Sequence, residues 1–167
     1  MQEARGWSKL GNRRAAESAI ERGNNLLQRL PAINYPRHFI FDRTKFPFYA
    51  ASCFQWLGDY DKAEEFAQQV IRECNTNGTT DRSPMRLADV QITLGLVRAH
   101  QNELEAALEC GFQALSYERK SGPSLLIRAA ELNNAILDKF PNDPRAAELD
   151  EKLRQLSDEF SGPPANR

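Results

Sequence analysis

The side chains able to do chemistry are few and scattered. The chain carries three cysteines, Cys53, Cys74 and Cys110, and two histidines, His38 and His100, which stand 62 positions apart (100 minus 38). A helical zinc site of the protease type needs two histidines four residues apart, and a structural zinc or redox site needs closely paired cysteines; neither spacing occurs. Three thiols leave one over under any intramolecular pairing, so no disulfide framework is implied. Cys53 or Cys110 with His100 would make a nucleophile and base, but a cysteine among apolar helix residues reads first as a small packed hydrophobe. No strand pattern is present to launch a glycine-rich phosphate loop. These residues imply no enzyme, no metal and no cofactor.

Bulk properties exclude further classes. At 167 residues the chain has room for one ordinary globular domain. A formal net charge of -1, with 41% hydrophobic and 27% charged residues, gives no general attraction to nucleic acid or anionic lipid. Direct nucleic-acid binding and membrane association are therefore not expected. No run approaches the roughly 18 apolar residues of a membrane span, and "MQEARGWSKL" lacks the apolar stretch of a secretory signal, so the expected location is cytoplasmic.

What positions the remaining side chains is an internal repeat. Gly11, Gly58 and Asn102 share one skeleton: a small residue seven positions before each (Ala4, Ala51, Gly95), alanine five after (Ala16, Ala63, Ala107), and Gly23, Val70 or Ala114 twelve after. Trp7, Phe54 and Arg98 stand four before the corner, and a polar N-cap candidate, Asn12, Asp59 or Glu103, follows it directly. Glycine, or asparagine in its place, tolerates the left-handed backbone that ends a helix, and small residues on either side let two antiparallel helices approach closely. Phe66, Val70 and Ile71, or Leu108, Phe112 and Leu115, recur at helical spacing and give each second helix an apolar stripe that a neighbouring hairpin must cover. The expected fold is all-α: a right-handed α-solenoid of about four hairpins and eight helices over residues 1–160, with hairpins near 1–30, 45–75, 84–119 and 123–160 and a flexible tail at 161–167.

The stretch "WLGDYDKAEEFA" resembles the tetratricopeptide repeat, a unit of about 34 residues, and the resemblance extends from about residue 1 to residue 120. The corners lie 47 and then 44 residues apart (58 minus 11, 102 minus 58), which leaves roughly 13 and 10 extra residues between hairpins. In the first insertion, "PAINYPRHFIFDRTKFP", the apolar run Phe39, Ile40 and Phe41 is expected to fold back onto the repeats. The second, "NTNGTTDRSP", is expected to be mobile up to Ser83 as N-cap and Pro84 as first helical residue. Asp143 and Pro144 are expected to open the last helix. The first helix has only about nine residues before Gly11, which suggests a shortened hairpin or a piece of a longer protein.

A narrower resemblance points the same way. The segments "HFIFDRTKFPFYAASCFQWLGDYDKAEEFAQQVI" and "MRLADVQITLGLVRAHQNELEAALECGFQALSYERKSGPSLLIRAAEL" are similar to the carboxy-terminal repeat domain of Gram-positive bacterial regulators that carry a helix-turn-helix at the amino end. That resemblance implies a non-catalytic sensor that takes a peptide, a small molecule or a partner protein. The alternative is a structural scaffold that forms a homodimer.

Stacked hairpins present a groove lined by the first helix of each pair. Positions six, three and two before the corner place Arg5, Ser8 and Lys9, then Ser52, Gln55 and Trp56, then Leu96, Ala99 and His100 along it; a step of about 34 brings Ala130, Asn133 and Asn134 to the same face. Trp56 is the expected anchor, although the Phe39 to Phe41 run is equally able to cover it, and Asn133 and Asn134 are candidate clamps for a peptide backbone. The acidic and basic run "ELDEKLRQLSDE" reads as a solvated helix face.

Overall fold

Gly11 (φ 69°), Gly58 (φ 71°) and Asn102 (φ 63°) adopt the left-handed conformation in the computed structural model of the chain, which describes residues 1–29, 45–76, 84–117 and 122–161. All three corners close with the same pair of bonds. The backbone N–H after the corner donates to the carbonyl five residues back, Asn12 to Trp7 (2.9 Å), Asp59 to Phe54 (2.9 Å) and Glu103 to Arg98 (2.9 Å). The corner's own N–H donates to Ser8, Gln55 or Ala99. This is the Schellman arrangement, which satisfies the carbonyls a helix end would otherwise orphan.

The helices so terminated are α1 (Gln2–Lys9), α3 (Lys45–Trp56) and α5 (Pro84–His100); their partners are α2 (Arg13–Arg29), α4 (Tyr60–Thr76) and α6 (Leu104–Ser116). A fourth pair comprises α7 (Gly122–Lys139) and α8 (Glu148–Ser161). No strand occurs among the described residues. The expected caps differ in outcome. Asn12 and Asp59 accept from the backbone N–H groups of Ala15 (3.1 Å) and Lys62 (3.3 Å), whereas Glu103 makes no side-chain cap bond. Its carboxylate, one methylene longer than that of aspartate, pairs with Arg98 at 3.2 Å instead. Asp143 caps as expected, accepting from the N–H of Arg145, but Pro144 opens a 3₁₀ turn, Pro144–Ala147, and α8 proper starts only at Glu148. Pro84 begins α5. The readings of Ser83, of the Phe39–Phe41 run, of the second insertion and of the tail fall outside the described residues, as does His38.

The chain divides into two compact units, Met1–Asp81 and Arg82–Arg167. In the first, the alanines of the repeat skeleton, Ala4, Ala16, Ala51 and Ala63, are fully buried where helices meet. Its larger apolar contacts are aromatic: Phe66 of α4 stacks on Phe54 of α3 (centroids 5.7 Å) and meets Phe46 edge-on (6.1 Å). In the second unit one aliphatic cluster runs through α5 to α8, centred on Ile92, Leu125, Leu132, Ile136 and Leu149, each no more than 1% exposed. Two glycines make that closeness possible. A Cβ added at Gly95 would lie 2.7 Å from a methyl of Leu132, and one at Gly111 would lie 2.9 Å from a methyl of Leu149. No described helix is long and apolar enough to cross a membrane.

Candidate functional site

Five of the predicted groove residues come together on the face shared by α1 and α3. Trp56 is half-buried; the Lys9 ammonium sits 4.8 Å from its ring centroid and the Arg5 guanidinium 5.8 Å, while Arg5 also lies 5.2 Å from the ring of Tyr49. Ser52 and Gln55 are half-buried on the same helix, and the Ser52 hydroxyl donates back to the Phe48 carbonyl at 3.5 Å. Beside this stack two buried polar atoms, Nε of Arg5 and Oε1 of Gln55, have no hydrogen-bond partner among the described residues. A buried donor or acceptor left in that state costs roughly 1–3 kcal/mol, so a face that keeps one of each is suited to a ligand bringing the complementary groups. Tyr49 was missed by the spacing rule. It stands two helical turns before Trp56, and that i, i+7 relation was the available signal.

Most of the other predicted residues lie in the second unit, and several are interior. Leu96 (5% exposed) and Ala99 (0%) belong to the aliphatic core of the second unit, and Asn133 (4%) is buried with its amide donating to Asp150 of α8 at 3.0 Å. These three are corrections. Ala130 and Asn134 are exposed and His100 is half-buried. Ser8 is likewise interior at 1% exposure. One geometric cause covers Ser8 and Ala99: the position three before each corner lies one helical turn after the small contact residue, Ala4 or Gly95, and so shares its packing stripe. For Leu96 the cause is composition. From Leu87 to Val97, "LADVQITLGLV" offers α5 no consistent polar face, and every residue in that span except Asp89 is buried. Asn133 is spent on tying α7 to α8.

Burial sets the titration of one thiol and of the described imidazole. Cys53 is fully buried, and burial raises its pKa above the ordinary thiol value, partly opposed by the Ser8 hydroxyl and the Arg5 charge. Burial, with the nearby Lys139 charge, lowers the pKa of His100. No cluster of three or more histidine, cysteine or acidic side chains able to hold a metal occurs among the described residues.

A second concavity was not anticipated. Between α2 and α4, floored by α3, lies an open cleft of about 740 Å3 bordered by Ile20, Phe46, Phe54 and Phe66 and rimmed by glutamates. At 100° per residue Phe54 projects roughly opposite to Tyr49, Ser52 and Trp56, and none of the residues bordering the cleft belongs to the α1/α3 stack. Comparison with protein-family models, curated proteins and solved structures finds no match to this chain.

Proposed function

We propose that the chain is a non-catalytic binding module of the tetratricopeptide-repeat type, serving as the peptide-, small-molecule- or protein-sensing part of a bacterial transcriptional regulator. The observation that carries this reading is the α1/α3 face, where Arg5 and Lys9 stack on Tyr49 and Trp56 beside the unpartnered Arg5 Nε and Gln55 Oε1. Two cations held over aromatic rings are already desolvated on one side and remain able to receive a carboxylate on the other. Gln55 Oε1 accepts from a backbone N–H, and Arg5 Nε donates to a carbonyl or carboxylate. A short acidic peptide supplies all of these partners. Direct nucleic-acid binding has no part in this reading.

Isothermal titration tests it with an unlabelled peptide bearing an acidic side chain and a free terminal carboxylate, set against the same peptide amidated and with glutamine for glutamate. Saturable binding of the acidic form, weakened about tenfold or more by Trp56→Ala or by Arg5→Gln at unchanged helicity, is the expected result. Equal binding of the two peptides, or indifference to both substitutions, overturns it. The competing reading is a dimerisation scaffold. Leu10 and Leu26 are 76% and 65% exposed, but singly exposed apolar side chains are ordinary on monomers.

A further inference from the structure

The cleft between α2 and α4 has the pattern of a missing third helix. On α2, Glu17, Glu21 and Gln28 border it, and on α4, Glu65, Gln69 and Glu73 do so. The steps are four residues, or seven between Glu21 and Gln28, so each set forms a polar rail that keeps to one side of its helix, about 16 Å long on α2 and about 12 Å on α4. Between the rails the surface is apolar, formed by Ile20, Leu27, Phe46, Phe54 and Phe66. Polar rails at helical spacing flanking an apolar seam are what one member of a coiled coil presents to another.

The charge selects the occupant. Among the described residues four glutamates border the cleft against one cation, Lys62, and that ammonium is engaged by Asp59 at 3.0 Å and lies 5.0 Å from the Phe54 ring centroid. Glu17 is paired with Arg13 on its own helix. Glu21 and Glu65, one on each rail, are exposed and have no ion-pair partner among the described residues. An anionic or purely apolar ligand would leave these carboxylates repelled or desolvated, at a cost. We infer that the α2/α4 cleft is a docking site for a basic amphipathic helix of a partner protein, whose apolar stripe fills the seam and whose flanking lysines or arginines meet Glu21 on one side and Glu65 on the other. The site is distinct from the α1/α3 face, because Arg5, Lys9, Tyr49, Gln55 and Trp56 do not border it.

The experiment uses the full chain and three synthetic 18-residue peptides: a helix with leucine at the seam positions and lysine on both flanks, its glutamate-for-lysine counterpart, and a lysine peptide with serine replacing leucine. Only the leucine–lysine peptide should bind one-to-one by calorimetry. The Glu21→Lys/Glu65→Lys double variant, checked for native helicity, should bind it at least about tenfold more weakly and should acquire binding of the glutamate peptide. Trp56→Ala should leave this binding unchanged, which separates failure here from failure at the acidic-peptide face. Equal binding of the lysine and glutamate peptides overturns the inference, as does binding of the serine peptide as tightly as the leucine one, or unaltered affinity in the double variant. Concentration-dependent dimerisation abolished by the double variant would assign the cleft to a second copy of the chain, and that also overturns it.

Discussion

In the first unit the ninth residue after the leading corner is Ile20; in the second it is Gly111. Ile20 borders an open cleft, whereas at Gly111 the methyls of Leu132 and Leu149 press against the bare backbone. A branched side chain stands at that position beside the cleft, and a glycine stands where the two leucines close in. The same contrast recurs seven residues before the corner, where Ala4 stands in the first unit and Gly95 in the second. One repeat skeleton therefore yields two kinds of interior. The second unit is closed by leucines packed onto bare glycine backbone, and the first is held by rings and alanines and keeps both a concavity and, apart from it, a cation-covered aromatic patch. Surface for binding lies where packing is incomplete, since a fully interlocked core has none to offer.

The largest test of this contrast is a pair of truncations. Leu132→Ala in the second unit should cost about 4 kcal/mol, because the site is filled on all sides and collapses little, while Ile20→Ala, 6% exposed at the cleft edge, should cost about 2 kcal/mol. Urea unfolding, with amide hydrogen exchange to locate the loss, measures both; similar costs would mean that the cleft is not open. Next in size is Gly95→Ala. Its Cβ would meet Leu132 at 2.7 Å and the Ala107 carbonyl oxygen at 3.3 Å, and that oxygen cannot rotate away, so a loss of about 2 kcal/mol is expected despite alanine's better helix propensity. Gly6→Ala, in exposed mid-helix with nothing within 4 Å of the added Cβ, should instead stabilise by about 0.5–1 kcal/mol, visible as a raised thermal midpoint.

The smallest effect is a pH dependence confined to the second unit. Burial and then the Lys139 charge hold the folded-state pKa of His100 below 6.5. Between that lowered value and 6.5 the unfolded chain binds more protons than the folded one, so stability falls as pH drops through this window and the loss is complete below the folded value. His100→Gln should therefore narrow the gap between thermal midpoints measured at pH 7.5 and 5.5, by an amount that is small because the ring is only half-buried. A gap unchanged by the substitution would remove His100 from the account.

Much of the local architecture was legible in the residues. Gly11, Gly58 and Asn102 predicted three corners and all three adopt positive φ, because few residue types tolerate that backbone and the ones that do stand out in a sequence. The site was legible only in part. Arg5, Lys9 and Trp56 meet as their spacing required, but Ser8, Leu96, Ala99 and Asn133 were assigned to a surface and lie inside. Spacing from a corner states which side chains share a stripe on one helix; it does not state which stripe the next helix covers.

By itself, then, the sequence determined what depends on a few adjacent residues: where the leading helices stop, that each turns back on its partner, and which alanines sit at the crossings. Only the tertiary structure decided what depends on pairs of residues far apart. That Ile20 borders a cleft where leucines cover Gly111, that Gln55 and Arg5 each leave a polar atom without a partner among the described residues, and that Asn133 is taken up by Asp150 are outcomes of packing between helices. Helix termination is set by backbone sterics within one turn, whereas exposure is set by whichever neighbour wins a given face.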